Sequence, residues 1–234
     1  MLSAPAFFGG FAMKLPLSDR LLACCGFVHS GDRVADIGCD HGYLGIHLLQ
    51  SGVASHVYAA DVREGPLSSA KRNAELYGMT GKMDFFLSDG VQGIPRDFDT
   101  LVCAGMGADT MISILSVASW LQSRKYRLIL QCQSKTPSLR RYLSETGWHI
   151  SEESVLRDGR FLYTVMEVLW QPDAPKLTVG QWYFPPALLQ HPSPQTAEYY
   201  RWVIDGLRIA AEHRPDGENR QALTELEPLQ EELL

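Results

Sequence analysis

Two aspartates and two glycines around residue 40 form the pattern in this sequence best suited to holding a small ligand. Asp36 lies near the end of a short apolar run, Gly38 and Gly42 bracket a tight turn, and Asp40 lies between them. Residues 42–50 then carry apolar side chains at helical spacing. A strand, a glycine turn and a helix in this order hold nucleotides in doubly wound α/β folds, because glycine lets backbone approach a ligand closely.

The carboxylate inside this turn restricts the chemistry of the ligand. The dinucleotide fingerprint has a glycine where this chain has Asp40, and a carboxylate there would repel a pyrophosphate. The Gly-Lys-Ser/Thr ending of an ATP-binding loop is missing as well. A ligand with a positive charge and no phosphate fits better, and S-adenosylmethionine is such a ligand. The alternative is a turn that is purely structural.

Further acidic residues and glycines follow in the order expected of such a site. Asp61 ends a second apolar run about 20 residues after the turn, where an acidic residue usually binds ribose hydroxyls. Asp89 is expected at the adenine edge, and this ordered series is typical of class I methyltransferases. The predicted cofactor-binding residues are Asp36, Gly38, Cys39, His41, Gly42, Asp61, Val62, Asp89, Gly90, Gly105, Met106 and Gly107.

The stretch from residue 35 to 44, Ala-Asp-Ile-Gly-Cys-Asp-His-Gly-Tyr-Leu, resembles the signature of the bacterial tRNA (adenine(22)-N1)-methyltransferase family. Matching segments follow in order at 65–67, 70–71, 104–107 and 128–131, and the similarity runs from about residue 15 to residue 170. Ordinary class I methyltransferases have glycine in place of the aspartate of the Asp-His pair. The resemblance implies a Rossmann-like class I methyltransferase sheet, S-adenosyl-L-methionine as cofactor, tRNA as partner, and methylation at N1 of adenine 22.

Two departures from the family pattern lie near the expected position of the substrate base. Ala108 stands where the family usually has another glycine after Gly-Met-Gly. Cys132 and Gln133 stand where it often has Pro-Asn. Both departures bear on the substrate and leave the cofactor residues unchanged.

Asp40 is the predicted catalytic residue. Adenine N1 already has a lone pair at neutral pH, so methyl transfer depends mainly on in-line positioning. The methylated base is cationic, and a nearby carboxylate would stabilise that charge or accept a proton from the exocyclic amine. Alternatively, Asp40 only caps the helix that follows.

Two other methyl-transfer chemistries fit these residues less well. Enzymes that methylate exocyclic amines usually carry Asn/Asp-Pro-Pro-aromatic where this chain has the sequence 104–107, Ala-Gly-Met-Gly. Cys132 could attack a pyrimidine as a thiolate, although a buried cysteine more often acts as a small apolar residue. No His/Cys spacing resembles a zinc site, and no metal is expected. The functional alternatives are a methyltransferase for a small molecule and a non-catalytic module that binds S-adenosylmethionine.

Binding of tRNA would require basic residues near the site. The net charge is −6, with 5 basic against 10 acidic residues from residue 171 onward and 16 against 17 before it, so a basic face on the first part remains open. A base held in a duplex would have to be flipped out before reaction. The predicted substrate-binding residues are Lys135, Arg140, Arg141, Arg157 and Arg160.

Hydrophobic patterning predicts the elements that position these residues. Strands are expected at 34–37, 57–61, 82–87, 98–104 and 127–132, followed by a hairpin of 148–156 and 161–170 with an Asp-Gly turn. Helices are expected from Ser18 and over 42–50, 67–77, 109–120 and 138–147. This pattern predicts parallel βα units that end in an antiparallel hairpin.

Composition changes after the hairpin. We predict a methyltransferase domain over 1–171, with 1–12 a mobile extension or Met13 the natural start, and a C-terminal part over 172–234. The proline-rich start of that part predicts an irregular linker. Helices over 196–213 and 219–234, the second broken at Pro228, predict an antiparallel hairpin. The resemblance implies a small coiled-coil-like domain here, and the alternative is that its leucines pack on the main domain.

The whole composition is that of a globular protein, with 45% apolar and 21% charged residues. The five cysteines form no C-x-x-C pair and are expected to be reduced and mostly buried, as in cytosolic proteins. The apolar opening lacks the basic start of a signal peptide, and no run approaches the ~18 apolar residues of a membrane span. We therefore expect a cytoplasmic protein with no membrane contact, and the sequence leaves its oligomeric state open.

Overall fold

A computed structural model describes residues 15–213 and 217–233 of this chain. The expected extension at 1–12, the candidate start at Met13 and most of the predicted turn at 214–217 lie outside these residues. Within them, no helix is both long and apolar enough to cross a membrane.

The centre of the described part is one sheet of seven strands in the order β3-β2-β1-β4-β5-β7-β6. Strands β1 to β5 are parallel, and β7 runs antiparallel to both β5 and β6. The chain reverses its direction of travel across the sheet between β1 and β4, and open α/β sheets bind ligands at such a switch point. The strands are β1 Arg33–Ile37, β2 His56–Asp61, β3 Met83–Leu87, β4 Thr100–Met106, β5 Arg127–Cys132, β6 Trp148–Asp158 and β7 Phe161–Trp170.

Helices cover both faces of the sheet, as the predicted α/β class requires. They are α1 Asp19–Gly26, α2 Tyr43–Gln50, α3 Glu64–Leu76, α4 Ala108–Ser116, α5 Thr136–Glu145, α6 Val179–Tyr183, α7 Pro194–His213, α8 Glu218–Leu226 and α9 Gln230–Leu233. Side chains alternate across each strand, so Val102 of β4 packs with the side of α1, α2 and α3, whereas Leu101 and Cys103 pack with the side of α4 and α5.

The predicted hairpin of β6 and β7 is present, but β6 continues two residues further than predicted, and the turn is Gly159 and Arg160, between the paired residues Asp158 and Phe161. Pairing of β7 with β5 ends at Met166, opposite Leu130. Residues 161–165 therefore lie at the carboxyl end of β5, on the same edge of the sheet as the ends of β1 and β4.

Several predicted boundaries differ from the structure. Helix α3 begins at Glu64, three residues before the predicted start, and the helix predicted over 109–120 ends at Ser116 because Ala118 leaves the helical conformation. The first helix does begin after Ser18, whose carbonyl accepts from Leu22, but its hydroxyl makes no capping hydrogen bond.

The proline-rich segment after residue 172 is not irregular throughout, so that prediction is wrong in part. Helix α6 begins with a capping box, in which the Thr178 side chain accepts from the Gln181 backbone and the Gln181 side chain accepts from Thr178. Pro186 begins a short 3-10 turn, where its missing N–H leaves no helical bond unmade.

The two C-terminal helices form the predicted antiparallel pair. The Tyr200 hydroxyl near the start of α7 donates to the carbonyl of Leu226 at the end of α8, over 2.8 Å. Pro228 lies in a 3-10 turn that separates α8 from α9. Leu223 and Leu226 also share a core cluster with Val155 of β6, so the pair packs both on itself and on the sheet.

Candidate active site

The turn between β1 and α2 crosses the carboxyl ends of β1 and β2. The Gly38 N–H donates to the carbonyl of Ala60 over 2.8 Å, which fixes the turn above β2. Gly38 and Gly42 have φ angles of 72° and 71°, a region that glycine enters without steric penalty. A Cβ atom at Gly38 would also displace the flexible end of the Met106 side chain. The two glycines therefore follow from the path of the chain.

Asp40 adopts the same left-handed conformation, with φ 48°, although it has a Cβ atom. Its backbone N–H donates to Asp61 Oδ2 over 3.3 Å, and its side chain is 61% exposed. The N-cap of α2 is Gly42 and receives no side-chain hydrogen bond, so the alternative in which Asp40 only caps the helix is not supported. The Oδ2 atom of Asp40 lies 3.7 Å from Nε2 of His41, which is also exposed. An exposed carboxylate on a residue with a left-handed backbone is typical of a functional site.

A cavity of about 490 Å³ opens at the ends of β1, β2 and β4. We call it the first cavity. It brings together eleven of the predicted residues, and Gly42 and Gly107 do not line it because they begin α2 and α4 behind it. The predicted residues in its wall are Asp36, Gly38, Cys39, Asp40, His41, Asp61, Val62, Asp89, Gly90, Gly105 and Met106.

Asp36 is the unusual ionisable group of this wall. Its side chain is buried, and Oδ2 has no hydrogen-bond partner in the described part of the chain. Burial, and then the neighbouring charge of Asp61, raise the pKa of Asp36 to about 7, against a smaller lowering by the Gly45 backbone N–H. A buried carboxylate oxygen without a partner is a place for a donor or a cation from a ligand.

Asp61 is held in place at the end of β2. Its Oδ1 accepts from the Arg63 backbone N–H over 2.9 Å, and its Oδ2 accepts from Asp40. A carboxylate has about four acceptor positions, so both oxygens can still accept from hydroxyl groups. This agrees with the predicted role in binding a ribose.

A bulge shapes the wall at the end of β4. The pairing of β4 with β5 shifts register between Ala104 and Met106, so Gly105 and Met106 belong to the strand and do not follow it as predicted. Gly105 has φ 78° and donates its N–H to Oε1 of the fully buried Gln131, over 3.0 Å. The side chain of Gln131 thus supports the bulge from the neighbouring strand.

The mouth of the first cavity also carries residues that the sequence analysis missed. Arg20 reaches it from α1, and its Nε lies 3.8 Å from Asp158. Tyr43 and Thr110 line it as well, and the Tyr43 ring lies 5.8 Å from that of His41. Arg20 carries no sequence signal, because its approach depends on how α1 packs against the distant β6–β7 hairpin.

Arg140, predicted to bind substrate, is fully buried, and that prediction is wrong. Its guanidinium donates twice to Glu153, over 2.6 and 3.2 Å, and to the carbonyls of Trp182 and Tyr183, over 3.0 and 2.8 Å. It also lies 3.4 Å from the hydroxyl of Tyr199. Burial alone would lower the pKa of Arg140, but the charge of Glu153, the neighbouring Tyr199 and the hydrogen bonds to both together raise it. Arg140 joins the sheet to the C-terminal helices and is unavailable to tRNA.

The other four basic residues are exposed and lie outside the first cavity. Each has a partner at the surface, and surface ion pairs contribute little to stability. Lys135 pairs with Asp109, Arg141 with Glu145 and Glu218, Arg157 with Glu198, and Arg160 lies over the Phe161 ring. Their role in binding substrate stays a prediction.

The expectation of buried, unpaired thiols is confirmed, since all five cysteines are free and buried. Burial raises the pKa of the Cys132 thiol, whose Sγ donates to the carbonyl of Ser134 over 3.1 Å. A neutral, hydrogen-bonded thiol is a poor nucleophile, so attack on a pyrimidine is not supported. Among the described residues, no cluster of His, Cys, Asp or Glu could hold a metal ion.

Comparisons with known proteins agree with this geometry. The family model described as a methyltransferase domain matches residues 17–166. The tRNA (adenine(22)-N(1))-methyltransferase of Bacillus subtilis is 30% identical over 154 residues, and the match spans 65% of each chain, slightly less than two thirds of that relative.

Two solved structures match nearly the whole chain. A Streptococcus pneumoniae protein in complex with S-adenosyl-L-methionine is 28% identical with a TM-score of 0.81, and the match covers 92% of this chain and 99% of that one. The Bacillus subtilis m1A22 tRNA methyltransferase is 26% identical with a TM-score of 0.77, covering 94% and 98%. The Rossmann-like fold class and the resemblance to tRNA (adenine(22)-N1)-methyltransferases are therefore confirmed, and this chain belongs to the methyltransferase domain family.

Proposed function

We propose that this protein methylates N1 of the adenine at position 22 of tRNA in the bacterial cytoplasm, with S-adenosylmethionine as the methyl donor. The observation that carries the proposal is Asp40, a strained and exposed carboxylate at the mouth of the first cavity. The same cavity offers the acceptors and the close-approach glycines that this donor needs. The relatives named above act on this tRNA position or bind this donor.

The residues of the first cavity fit the donor group by group. The unpartnered Oδ2 of Asp36 suits its ammonium group, and Asp61 suits its ribose hydroxyls. Asp89 and Gly90 border the side suited to adenine, and the bulge at Gly105 leaves room for the sulfonium. The volume of about 490 Å³ is in the range of small-molecule sites.

S-adenosylmethionine supplies an electrophilic methyl group on a positively charged sulfur. Transfer to adenine N1 moves that positive charge onto the base, and Asp40 places a negative charge at the mouth where the base arrives. A carboxylate positioned there before the reaction stabilises the charge as it develops. Asp40 can also take the proton that the exocyclic amine releases.

Access of the adenine to this mouth requires that it leave its stack in the folded tRNA. We infer that the exposed Lys135, Arg157 and Arg160 meet phosphates around the site. Because such contacts release counterions, we expect tRNA binding to weaken steeply as salt concentration rises.

The test is transfer of a radiolabelled methyl group to unmodified bacterial tRNA, followed by nucleoside analysis. We expect 1-methyladenosine with the unsubstituted protein and none with tRNA whose adenine 22 is replaced by guanine. Asp40→Ala should lower kcat by about 100- to 1,000-fold, as for loss of a charge-stabilising group. Its affinity for S-adenosylmethionine should change little, because the side chain points to the mouth.

Two outcomes would contradict the proposal. No label in any tRNA, with tight binding of S-adenosylmethionine, would redirect the search to small-molecule substrates. Unchanged kcat in Asp40→Ala would remove the assigned role of that residue while leaving the activity in place.

A further inference from the structure

A second cavity, of about 470 Å³, opens on the same edge of the sheet as the first. Its walls are the loop between β5 and α5, the end of the β6–β7 hairpin and one side of α7. Of the residues predicted to form the site, only Lys135 lines it. It is thus a separate chamber beside the cofactor site, built mainly by the hairpin and the C-terminal helices.

Aromatic side chains dominate the wall of this second cavity. Phe161 and Trp202 are the two large aromatic residues most exposed among those described, at 53% and 66%, and both line it. Tyr199 stacks on Trp202 with ring centres 5.6 Å apart. Exposed rings held by packing in this way are surfaces on which nucleic-acid bases stack.

Gln133 stands where the two cavities meet. Its side chain lines the second cavity, and its Nε2 would lie 4.0 Å from a Cβ atom on Gly105, which lines the first. Nε2 donates to Oε1 of Gln131 over 3.3 Å, and Oε1 of Gln133 has no partner among the described residues. The amide therefore faces the junction with hydrogen-bonding capacity left over.

An amide is the side-chain group that reads adenine. Glutamine contacts N6 and N7 together, accepting from one and donating to the other. That edge meets the Watson–Crick edge at N6 and does not include N1. A base held by Gln133 in this manner keeps its N1 lone pair free for reaction.

Cations surround the opening. Lys135 lines the second cavity, and Arg157 and Arg160 lie at the end of the hairpin that forms one wall. Their present partners, Asp109 for Lys135 and Glu198 for Arg157, form exposed pairs that phosphates can displace at small cost. The charge around the opening is thus suited to a nucleic-acid backbone.

We infer that the second cavity receives the flipped-out nucleotide, with Gln133 reading its adenine and Trp202 and Phe161 stacking against bases. This inference rests on the proposed function and adds the residue that selects the substrate base.

The experiment changes both partners of the proposed contact, the side chain of Gln133 and N7 of the adenine. Single-turnover methylation is measured with tRNA that carries adenine or 7-deazaadenine at position 22, using unsubstituted protein, Gln133→Ala and the exposed control Gln122→Ala. We expect 7-deazaadenine to slow the unsubstituted protein and the control about tenfold or more. The Gln133→Ala variant should methylate normal tRNA slowly, and its rate should not change when 7-deazaadenine replaces adenine. Calorimetry should show unchanged S-adenosylmethionine binding in all three.

The stacking wall is tested by tRNA binding. Trp202→Ala should weaken binding at least about tenfold, whereas Leu76→Ala, an equally exposed residue on α3, should leave it unchanged. Full sensitivity of Gln133→Ala to 7-deazaadenine, or unchanged binding in Trp202→Ala, would overturn the inference while the proposed function stands. Failure of the unsubstituted protein to methylate any tRNA would overturn the proposed function itself.

Discussion

The two cavities on one edge of the sheet are built in opposite ways. The centre of the first is formed by backbone and acidic side chains at the ends of the parallel strands, close to glycines, and only its mouth receives side chains from α1 and α4. The second is formed largely by aromatic and aliphatic side chains and two amides, Gln133 and Asn219, carried on elements from residue 132 to residue 219. One holds a ligand by local geometry, and the other exists only once distant elements have packed together.

Among the contacts that hold the walls of the second cavity together, we expect those of Arg140 to be the most sensitive to substitution. Arg140→Ala leaves Glu153 buried without its partner, and we expect a loss of about 3–5 kcal/mol in the free energy of unfolding. Arg141→Ala next to it is the matched control, because Arg141 is exposed and its ion pairs are at the surface. Urea denaturation measures both. Equal, small effects would mean that the buried pair does not hold the C-terminal helices to the sheet.

We expect the stability of the protein to depend on pH through Asp36, in the wall of the first cavity. Because the pKa of Asp36 is raised to about 7 by burial and then by Asp61, the folded protein keeps a proton that the unfolded chain releases above about pH 4. Stability of the ligand-free protein should therefore fall as pH rises from 4 to 7, by up to about 4 kcal/mol. Asp36→Asn should lack this fall and should bind S-adenosylmethionine poorly.

Denaturation curves at pH 5 and pH 8 separate the possibilities for Asp36. Parallel changes in the unsubstituted protein and Asp36→Asn would show that other groups cause the pH dependence. Saturating S-adenosylmethionine should reduce the dependence in the unsubstituted protein, because an ammonium beside Asp36 favours its charged form.

The smallest expected effect concerns the bulge between the two cavities. Gly105→Ala should destabilise the fold by roughly 1 kcal/mol, since alanine is strained at φ 78° although the space around it is open. Gly52→Ala carries the same penalty at φ 71° in a loop outside both cavities. The melting temperature should fall equally in the two variants, but the rate of methyl transfer should decrease only in Gly105→Ala. Equal activities would show that the bulge is not needed for catalysis.

The same difference explains what the sequence could predict. The first cavity follows from a motif in which each residue is positioned by its neighbours, so Asp36, Gly38, Asp40 and Asp61 were predicted and meet in one wall. The burial of Arg140 could not be predicted, because Arg140 and Arg141 are adjacent and only the partner Glu153, on a strand packed against α5, decides which one is inside. The hydrogen bond from Gly105 to Gln131 cannot be predicted from the sequence either, because it depends on how β4 and β5 pair.

Helix α6 was missed for a different reason. The prolines of this segment indicate a linker, but they flank the helix, and the signal for the helix is the Thr178–Gln181 capping pair. No signal in the sequence indicates that the side of α7 that carries Trp202 lines a cavity.

The buried pair of Arg140 and Glu153 has a consequence on an evolutionary scale. Either residue can be exchanged alone only through a state with an unpaired buried charge, which few sequences would survive. Substitutions at the two positions are therefore expected to occur together. The carbonyls of Trp182 and Tyr183 accept hydrogen bonds from Arg140, so the C-terminal helices depend on the same pair. Drift in that pair would move the helices that form the second cavity, so selection for substrate recognition also acts on an ion pair that no substrate reaches.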